Sequence, residues 1–552
     1  MHSLPWPFSS ALIRAHRRPP LAPVALLSLL LALVPASSAR GADPPVLREA
    51  QVGVNSVGYL SFFPIVGAAP RPTSQDARFG VDHVSYGSPD PAMAGSLATR
   101  YAQAVQAGAG WNRWVVYWSD VEKSPGYHDY TSVGQTIAND RANGLKTDAV
   151  LMSTPTFYAT AGAFSAEAAR PPRLGDSAWL RARLLGQSQM ATTEYNPYVT
   201  PPRDLYAPTF SDGTDTWQPG KRVNDGNPWA RFVYETVSRF KGQVGVWEVW
   251  NEPDLSEFWH GSVADYVRLL KVAYLAAKSA DPTAKVAVGG LAYWEWVQNH
   301  GGRPWLQDFL GELDKDPQRA ANNYYVDAVP YHWYSRPSDI YWKTADARST
   351  LAQHGIQGKE IWVNESNVPV CGEPPPSNPV PCDHNNWFAN AQEQASFVVQ
   401  AAAYAVAADV RQLFIFQHYD DGNAFAYGLH HNDGSARPAY VAYEVATRYL
   451  SGAVSATRAA DAEYERITVN TVQGGVPRQA VVVWKRTPGD GGTWVPGSGT
   501  ATLVDVSGAK QSILAGGSGF WVPLGGATAY HSGSPDDYFV GGPPRILVSG
   551  SP

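Results

Sequence analysis

Two short segments of the chain place a glutamate directly after an asparagine, at the end of a hydrophobic, strand-like run. They are residues 247–254 (WEVWNEPD) and 361–366 (IWVNES). A carboxylate at the exit of a buried strand is held rigidly, and two such groups can supply the acid/base and the nucleophile that cleavage of a glycosidic bond requires. Glu252 and Glu365 therefore favour cleavage of a glycosidic bond with retention of the anomeric configuration.

Strand-like runs alternate with amphipathic, helix-like runs from residue 79 onward, which is the pattern of βα units around a parallel sheet. The predicted strands are residues 79–85, 111–117, 146–152, 244–250, 285–290, 326–331, 360–364 and 412–416. Helical spacing is clear in residues 96–106, 229–240, 263–279 and 389–407. We therefore predict an α/β fold with a (β/α)8 TIM barrel over residues 79–454.

Two other regions differ from this pattern. The connection 154–228 is long and rich in aromatic residues. Because loops after barrel strands lie on the catalytic face, it is a candidate substrate wall or lid; a small core of its own is the alternative. Residues 455–552 show short alternating strands punctuated by Gly and Pro, which predicts a C-terminal antiparallel β-sandwich domain.

The N-terminal 42 residues have the pattern of a signal peptide. Three arginines at 14, 17 and 18 precede an apolar run at 21–34, and small residues follow. The run is short for a membrane span, so we predict a secreted or cell-surface protein without a span after signal removal; an uncleaved anchor is the alternative. Residues 43–78 read as a linker or as a strand added to the sandwich.

Composition narrows the class of ligand. The net charge is −6, only 17% of residues are charged, and no basic patch occurs, which argues against nucleic acid or an anionic membrane surface as partner. A carbohydrate substrate fits better. The oligomeric state is left open.

The two cysteines, Cys371 and Cys382, bracket a proline-rich segment, and in an exported chain they predict one disulfide, with two free thiols as the alternative. Their spacing matches no zinc pattern and the histidines show no ligand spacing, so we predict no metal and no cofactor.

On an eight-stranded ring Glu252 follows the fourth strand and Glu365 the seventh, so both face the same mouth. This arrangement resembles glycoside hydrolase clan A, and within it family 39. The resemblance covers nearly everything after residue 79. It rests on Arg113, on residues 117–127 (YWSDVEKSPGY), on Asn251-Glu252-Pro253, on residues 331–334 (YHWY), on Asn364-Glu365 and on residues 537–544 (DYFVGGPP).

The resemblance implies a division of labour between the two glutamates. Glu252 would protonate the leaving oxygen and later activate water, while Glu365 would attack the anomeric carbon. Glu252 must then be protonated near neutral pH and Glu365 ionised. Arg113 is the expected stabiliser of the ionised partner, and a structural ion pair with Glu248 is its alternative role.

Other residues are expected around the sugar. Asn251 would bind the 2-hydroxyl group, with a cap on the strand-to-loop turn as the alternative. His332 and Tyr334 would orient Glu365 and the sugar, with a hydrogen-bonded core residue as the alternative for His332. Trp118 is a candidate stacking surface, with packing in the core as its alternative. Many clan members present a tryptophan on strand eight, whereas this chain has FIFQHYDD at 414–421, so an aromatic residue or His418 would replace that platform.

The sequence leaves the sugar open among xylosides, other β-glycosides and substrates that contain uronic acid or arabinose. Two other functions also stay open. The first is a carbohydrate-binding protein of the cell surface without turnover, against which the presence of both glutamates counts. The second is a transglycosylase, which would use the same glutamate pair.

Overall fold

The computed structural model describes residues 78–85, 96–160, 196–292, 304–373, 382, 387–420, 426–531 and 534–549. The predicted signal peptide, nearly all of segment 43–78 and residues 161–195 of the long connection lie outside the described residues. All of the described residues fall in one unit, Ala68–Pro552.

Eight parallel strands in the described part of the chain close into a barrel, which confirms the predicted (β/α)8 fold. They are β1 Phe79–Asp82, β2 Trp111–Tyr117, β3 Lys146–Met152, β4 Val246–Asn251, β5 Val286–Gly290, β6 Ala328–Tyr334, β7 Glu360–Asn367 and β8 Gln412–Ile415. Each strand pairs with its neighbours in sequence, and β8 closes the ring on β1.

A helix follows each barrel strand. The helices are α1 Leu97–Gln106, α2 Thr131–Ala142, α3 Pro228–Arg239, α4 Val263–Ala280, α5 Trp305–Leu313, α6 Ser338–Gln353, α7 Ala391–Ala407 and α8 Pro438–Leu450. Local sequence sets where several of them begin. Ser262 and Asp265 form a capping box at α4, and Asn390 and Glu393 form another at α7, so backbone N–H groups of the first turn are satisfied there.

Strands β6 and β7 extend three residues further than the sequence predicts, to Tyr334 and Asn367. The sequence suggests an earlier end because polar residues replace the hydrophobic run. In the structure these polar residues continue the ladder between the two strands, with His332 paired to Glu365. His332, Tyr334 and Glu365 therefore lie on strands.

The barrel interior changes from apolar to charged toward the carboxyl ends of the strands. Its floor is a cluster of six buried side chains: Trp111, Val246, Ala287, Ala328, Trp362 and Phe414. Two residues further along their strands, Arg113 and Glu248 also lie inside and are fully buried. Alternate residues of a barrel strand face inward, so the charged layer lies directly on the apolar floor.

The C-terminal region consists of antiparallel strands, which confirms the predicted sandwich. They are β9 Ala453–Ala460, β10 Tyr464–Gln473, β11 Val476–Lys485, β12 Gly491–Val495, β13 Thr500–Val504, β14 Lys510–Leu514, β15 Phe520–Leu524, β16 Ala529–His531, β17 Ser534–Val540 and β18 Arg545–Ser549. One sheet has the order β9-β10-β11-β18-β13-β14, and β12–β15 and β16–β17 form pairs.

Successive side chains of β11 point to opposite faces of this sheet, and both faces are buried. Val481 and Val483 pack with Phe520 of β15, whereas Val482 and Trp484 join the hydrophobic cluster of the barrel. On the barrel side, the ring of Tyr404 in α7 lies 5.2 Å from that of Trp484. The sheet is therefore packed against barrel helices and does not stand apart from them.

The covalent structure and the helices bear on two further features of the chain. Cys371 and Cys382 form the predicted disulfide. Within the described residues, no helix combines the length and the apolar character needed to cross a membrane.

Candidate active site

Glu252 is held at the exit of β4 by an unusual backbone. Trp250 and Glu252 both have positive φ angles, 71° and 41°. Such conformations persist only where the surroundings enforce them. The indole N–H of Trp250 donates to the carbonyl of Phe258 at 2.6 Å, and the Glu252 N–H donates to the carbonyl of Gly290 at 2.9 Å. These bonds fix the direction of the carboxylate.

Glu365 reaches the interior because of a register shift between β6 and β7. Tyr331 pairs with Val363, but the next residue, His332, pairs with Glu365. The residue that is skipped, Asn364, donates from Nδ2 to Glu248 at 2.7 Å inside the barrel. An extra residue in one strand re-aims side chains locally, so two consecutive residues of β7 contact the interior.

The structure brings the two glutamates together. One oxygen of each carboxylate and a ring nitrogen of His332 lie within 4.8 Å of one another. Both glutamates are buried, at 3% and 4% exposure. Retaining glycosidases separate their carboxyl groups by about 5–5.5 Å, and inverting ones by about 6.5–9.5 Å. One oxygen of Glu252 therefore lies no more than 4.8 Å from one oxygen of Glu365.

Glu365 accepts hydrogen bonds from two fixed donors. Arg113 Nη1 lies 2.6 Å from Oε1, and the Tyr334 hydroxyl lies 2.6 Å from Oε2. Burial and the negative charge of Glu365 raise the pKa of the Tyr334 phenol well above its usual range, so it remains a donor. Both contacts stabilise a negative charge on Glu365.

Arg113 also makes the ion pair that was its alternative role. Its Nε and Nη2 each lie 2.9 Å from an oxygen of Glu248. Burial tends to lower the pKa of the guanidinium, but the charges of Glu248 and Glu365 outweigh it and raise that pKa well above its usual value. Arg113 thus connects Glu365 to Glu248, which lies deeper in the barrel, and is itself fully buried.

His332 lies against Glu252 and not primarily against Glu365. Its Nδ1 is 2.7 Å from Glu252 and 3.5 Å from Glu365. Gly290 at the end of β5 makes room for the ring, because a Cβ there would lie 2.1 Å from His332 Nε2. The sequence predicts that His332 orients Glu365. Its position in the chain does not show which of the two carboxylates the ring will contact.

Asn251 combines a fixed acceptor with an unused donor. Its Oδ1 accepts from Arg113 Nη2 at 2.8 Å. Its buried Nδ2 has no hydrogen-bond acceptor within the described part of the chain. A buried amide group without an acceptor costs free energy, which a hydroxyl group of a bound ligand would recover.

Two predicted sugar-contacting residues lie in the core instead, which corrects the sequence interpretation. Trp118 is fully buried; it stacks on Phe232 at 5.1 Å, and its indole N–H donates to Glu122 at 2.7 Å. His418 is also fully buried, with Nε2 2.9 Å from the carbonyl of Arg100. Neither ring has a face open to a sugar.

The aromatic residue of the eighth strand region that lies at the site is Phe416. Its ring centroid is 6.0 Å from that of Tyr334 and 5.5 Å from the ring of His83. Of the two replacements expected for the missing tryptophan, an aromatic residue or His418, Phe416 packs against Tyr334, whose hydroxyl contacts Glu365, but its ring is itself only 3% exposed.

Sequence reasoning missed two buried carboxyl groups around Arg113. Asp82 Oδ1 lies 3.4 Å from Nη1, and Asp148 Oδ2 lies 3.9 Å from Nε. Burial raises the pKa of both carboxyl groups well above the usual value. The available signal was an acidic residue inside a hydrophobic strand, as in KTDAVLM at 146–152.

Glu252, His332 and Glu365 have the donor types of a metal site and lie close enough to share an ion. However, Arg113 already lies 2.6 Å from Glu365 and would repel a cation there. The absence of a metal stays a prediction from the sequence.

The (β/α)8 barrel places Asn-Glu after β4 and a second glutamate on β7, the arrangement in which the sequence resembles clan A glycoside hydrolases. Comparison with known proteins supports this resemblance over part of the chain. Residues 234–443 match the family described as "Glycosyl hydrolase catalytic core".

Beta-xylosidases are among the similar sequences. The one from Caldicellulosiruptor saccharolyticus is 30% identical over 125 residues, which cover 21% of this chain and 22% of that protein. The one from Geobacillus stearothermophilus is 35% identical over 94 residues, or 16% of this chain and 17% of that protein. The chain thus matches only about a fifth of the length of these curated relatives.

A solved family 39 glycoside hydrolase from the gut symbiont Bacteroides cellulosilyticus WH2 has a similar fold. It superposes with a TM-score of 0.56 at 15% identity, and the match covers 87% of this chain and 83% of that one. At this identity the similarity supports the fold.

Proposed function

We propose that this protein is a retaining glycoside hydrolase with Glu252 as acid/base and Glu365 as nucleophile. The observation that supports this most strongly is the buried pair itself, in which one oxygen from each carboxylate and a nitrogen of His332 lie within 4.8 Å of one another. The spacing suits direct attack by one carboxylate and leaves little room for a water molecule between them.

The contacts of the two glutamates support this division of roles. Glu365 is held by the Arg113 guanidinium and the Tyr334 hydroxyl, at 2.6 Å each, which favours its ionised, nucleophilic form. Glu252 instead lies 2.7 Å from His332 Nδ1. A neutral imidazole does not hold a carboxyl group in its ionised form as a guanidinium does, so Glu252 is the group suited to carry the proton.

In the first step Glu365 attacks the anomeric carbon while Glu252 donates its proton to the leaving oxygen. The bond to the aglycone breaks and a covalent glycosyl-enzyme forms. The buried Nδ2 of Asn251, which lacks an acceptor among the described residues, would donate to the sugar's 2-hydroxyl group. This contact strengthens in the transition state and would lower the barrier.

In the second step Glu252, now ionised, takes a proton from water, and the resulting hydroxide displaces Glu365 from the anomeric carbon. Two inversions give net retention. His332 contacts both carboxylates and can keep their relative positions fixed through both steps. If a sugar hydroxyl replaced the water, the same steps would give transglycosylation.

The proposed substrate is a β-glycoside, with β-xylosides as the first to test. Support comes from the similar sequences, which are named beta-xylosidases.

Chemical rescue tests the assignment. Glu365→Ala should abolish hydrolysis of an aryl β-xyloside, and azide should restore turnover and yield a glycosyl azide, because the small anion replaces the missing nucleophile. Glu463→Ala, which changes an exposed glutamate of the C-terminal region, is the control and should keep full activity. Undiminished hydrolysis by Glu365→Ala would contradict the assignment.

We also propose that the protein acts outside the cytoplasm. The apolar N-terminal run after three arginines and the Cys371–Cys382 disulfide support this. N-terminal sequencing of protein from the culture medium should find a chain that starts near residue 40 to 43; material retained whole inside cells would contradict the proposal.

A further inference from the structure

The layer beneath the catalytic pair holds more acidic groups than one cation can balance. Four carboxyl groups, those of Asp82, Asp148, Glu248 and Glu365, lie within 2.6–3.9 Å of Arg113. All of these side chains are at most 5% exposed. Buried like charges at this spacing repel strongly, so some of these carboxyl groups must be neutral.

Hydrogen bonds identify Glu248 as an ionised member. It accepts two bonds from Arg113 at 2.9 Å each, one from the Gly290 N–H at 2.7 Å and one from Asn364 Nδ2 at 2.7 Å. Four donors around one carboxylate stabilise its negative charge. Glu248 is therefore the permanent counter-ion of Arg113.

Asp148 has the opposite environment. Neither of its oxygens accepts a hydrogen bond of normal geometry within the described residues. Its distance of 3.9 Å from Arg113 Nε is too long for a hydrogen bond, and that N–H points to Glu248. A buried carboxylate without donors is unstable, whereas a protonated carboxyl group can itself donate to a neighbouring carboxylate.

We propose that Asp148 is a positioning residue: its carboxyl group stays protonated and donates to Glu248, which leaves the remaining charge of Arg113 for Glu365. This inference rests on the proposed function, because Glu365 is the nucleophile that it serves. No proton is transferred; the Asp148 hydroxyl remains a neutral donor throughout turnover. Glu248, so held, fixes the guanidinium at the position from which Nη1 reaches Glu365.

The groups that face Asp148 support its neutral state. They are Arg113 on β2, Glu248 on β4, Asn364 on β7 and Asp82 on β1. Burial raises the pKa of Asp148 well above its usual value, and the charge of Glu248 and a hydrogen bond with it raise that pKa further. The charge of Arg113 and a hydrogen bond from Asn364 act in the opposite direction. The net direction agrees with the neutral form that burial and the missing donors of normal geometry favour.

Infrared spectroscopy tests the protonation without using activity. The wild-type minus Asp148→Asn difference spectrum at neutral pH should contain the deuterium-sensitive C=O band of a carboxylic acid. Asp82→Asn is the matched control, because it removes another buried carboxyl group near Arg113 and should leave the Asp148 band in place. A carboxylate band in the Asp148 difference spectrum would overturn the proposal, whatever the protein's catalytic function.

Kinetics test the positioning role. Asp148→Asn, a neutral donor of the same shape, should retain at least about half of kcat, with the acidic limb of the kcat/KM profile unmoved. Asp148→Leu should lower kcat about tenfold with little change in KM, since Glu248 loses the donor proposed here and keeps only the four from Arg113, Gly290 and Asn364. If Asp148 were an anion, Asp148→Asn would move the acidic limb to lower pH, and that result would contradict the proposal.

Discussion

Arg113 and Glu365 lie 2.6 Å apart inside the barrel, and neither side chain is more than 5% exposed. The guanidinium cannot turn away, because its other edge is held by Glu248 through two bonds of 2.9 Å. A salt bridge exposed to water contributes little and is easily rearranged, whereas a buried one is costly to break. The carboxylate of Glu365 is therefore positioned by a guanidinium that Glu248 holds in place.

Arg113→Met should destabilise the fold strongly, because it leaves Glu248 buried without its cation. Breaking a buried ion pair from one side costs about 3–5 kcal/mol. Urea unfolding followed by circular dichroism measures this loss.

Arg411→Met is the matched control for that variant. Arg411 is about half exposed and lies 4.0 Å from Glu360. Its replacement should change the free energy of unfolding by less than about 1 kcal/mol. If both variants lost the same free energy of unfolding, burial would not add to the stability that the Arg113–Glu248 ion pair contributes.

Glu252→Ala should slow substrates according to their leaving groups. Alkyl or sugar aglycones need a proton from Glu252 and should lose far more activity than activated aryl glycosides, which leave without one. The measurement is kcat/KM over a series of aglycones of known acidity. Glu257→Ala, a partly buried glutamate of the same loop, is the control. Equal losses across the series would count against Glu252 as the acid.

The barrel and the glutamate pair could be predicted because both depend on local patterns. Hydrophobic strands of regular spacing predict eight βα units, and a carboxylate at a strand end is visible in the sequence itself. The register shift that pairs His332 with Glu365 has no such signal, because it depends on how two strands meet.

The wrong expectations for Trp118 and His418 have the same origin. Trp118 is buried by Phe232, a residue of α3 more than a hundred positions away in the chain. His418 is buried against α1, where it bonds the carbonyl of Arg100. For an aromatic residue near the mouth of the barrel, the sequence does not distinguish a ring that faces a ligand from a ring that packs against a helix.

Tyr334→Phe should lower kcat/KM while leaving the fold intact. A hydrogen bond to a charged group contributes about 1.5–3 kcal/mol, so the loss should be about 10- to 100-fold. Steady-state kinetics measure it. The control is Tyr331→Phe on the same strand, whose hydroxyl bonds Ile340 and Thr344 away from the glutamates. If only the control lost activity, Tyr334 would have no part in holding Glu365.

Stability should fall at alkaline pH because of His128. Hydrogen bonds to Glu122 and Glu235 raise the pKa of His128 from 6.5 to about 9. A raised folded-state pKa means that this contribution is complete below about pH 6.5 and is lost as the pH rises through about 9. Thermal unfolding across this range should show the decline.

His128→Gln should flatten that alkaline decline. His260 is the control, because burial lowers its pKa instead, so His260→Gln should leave the decline in place. An unchanged decline in His128→Gln would show that another group causes it.

Product stereochemistry tests the central claim, that Glu252 and Glu365 act by double displacement. Proton NMR of the first-formed product during hydrolysis of an aryl β-xyloside distinguishes the outcomes before mutarotation mixes the anomers. The proposed double displacement predicts the β-anomer, because two successive inversions at the anomeric carbon restore its configuration. First formation of the α-anomer would show inversion and would contradict the assignment of Glu365 as nucleophile.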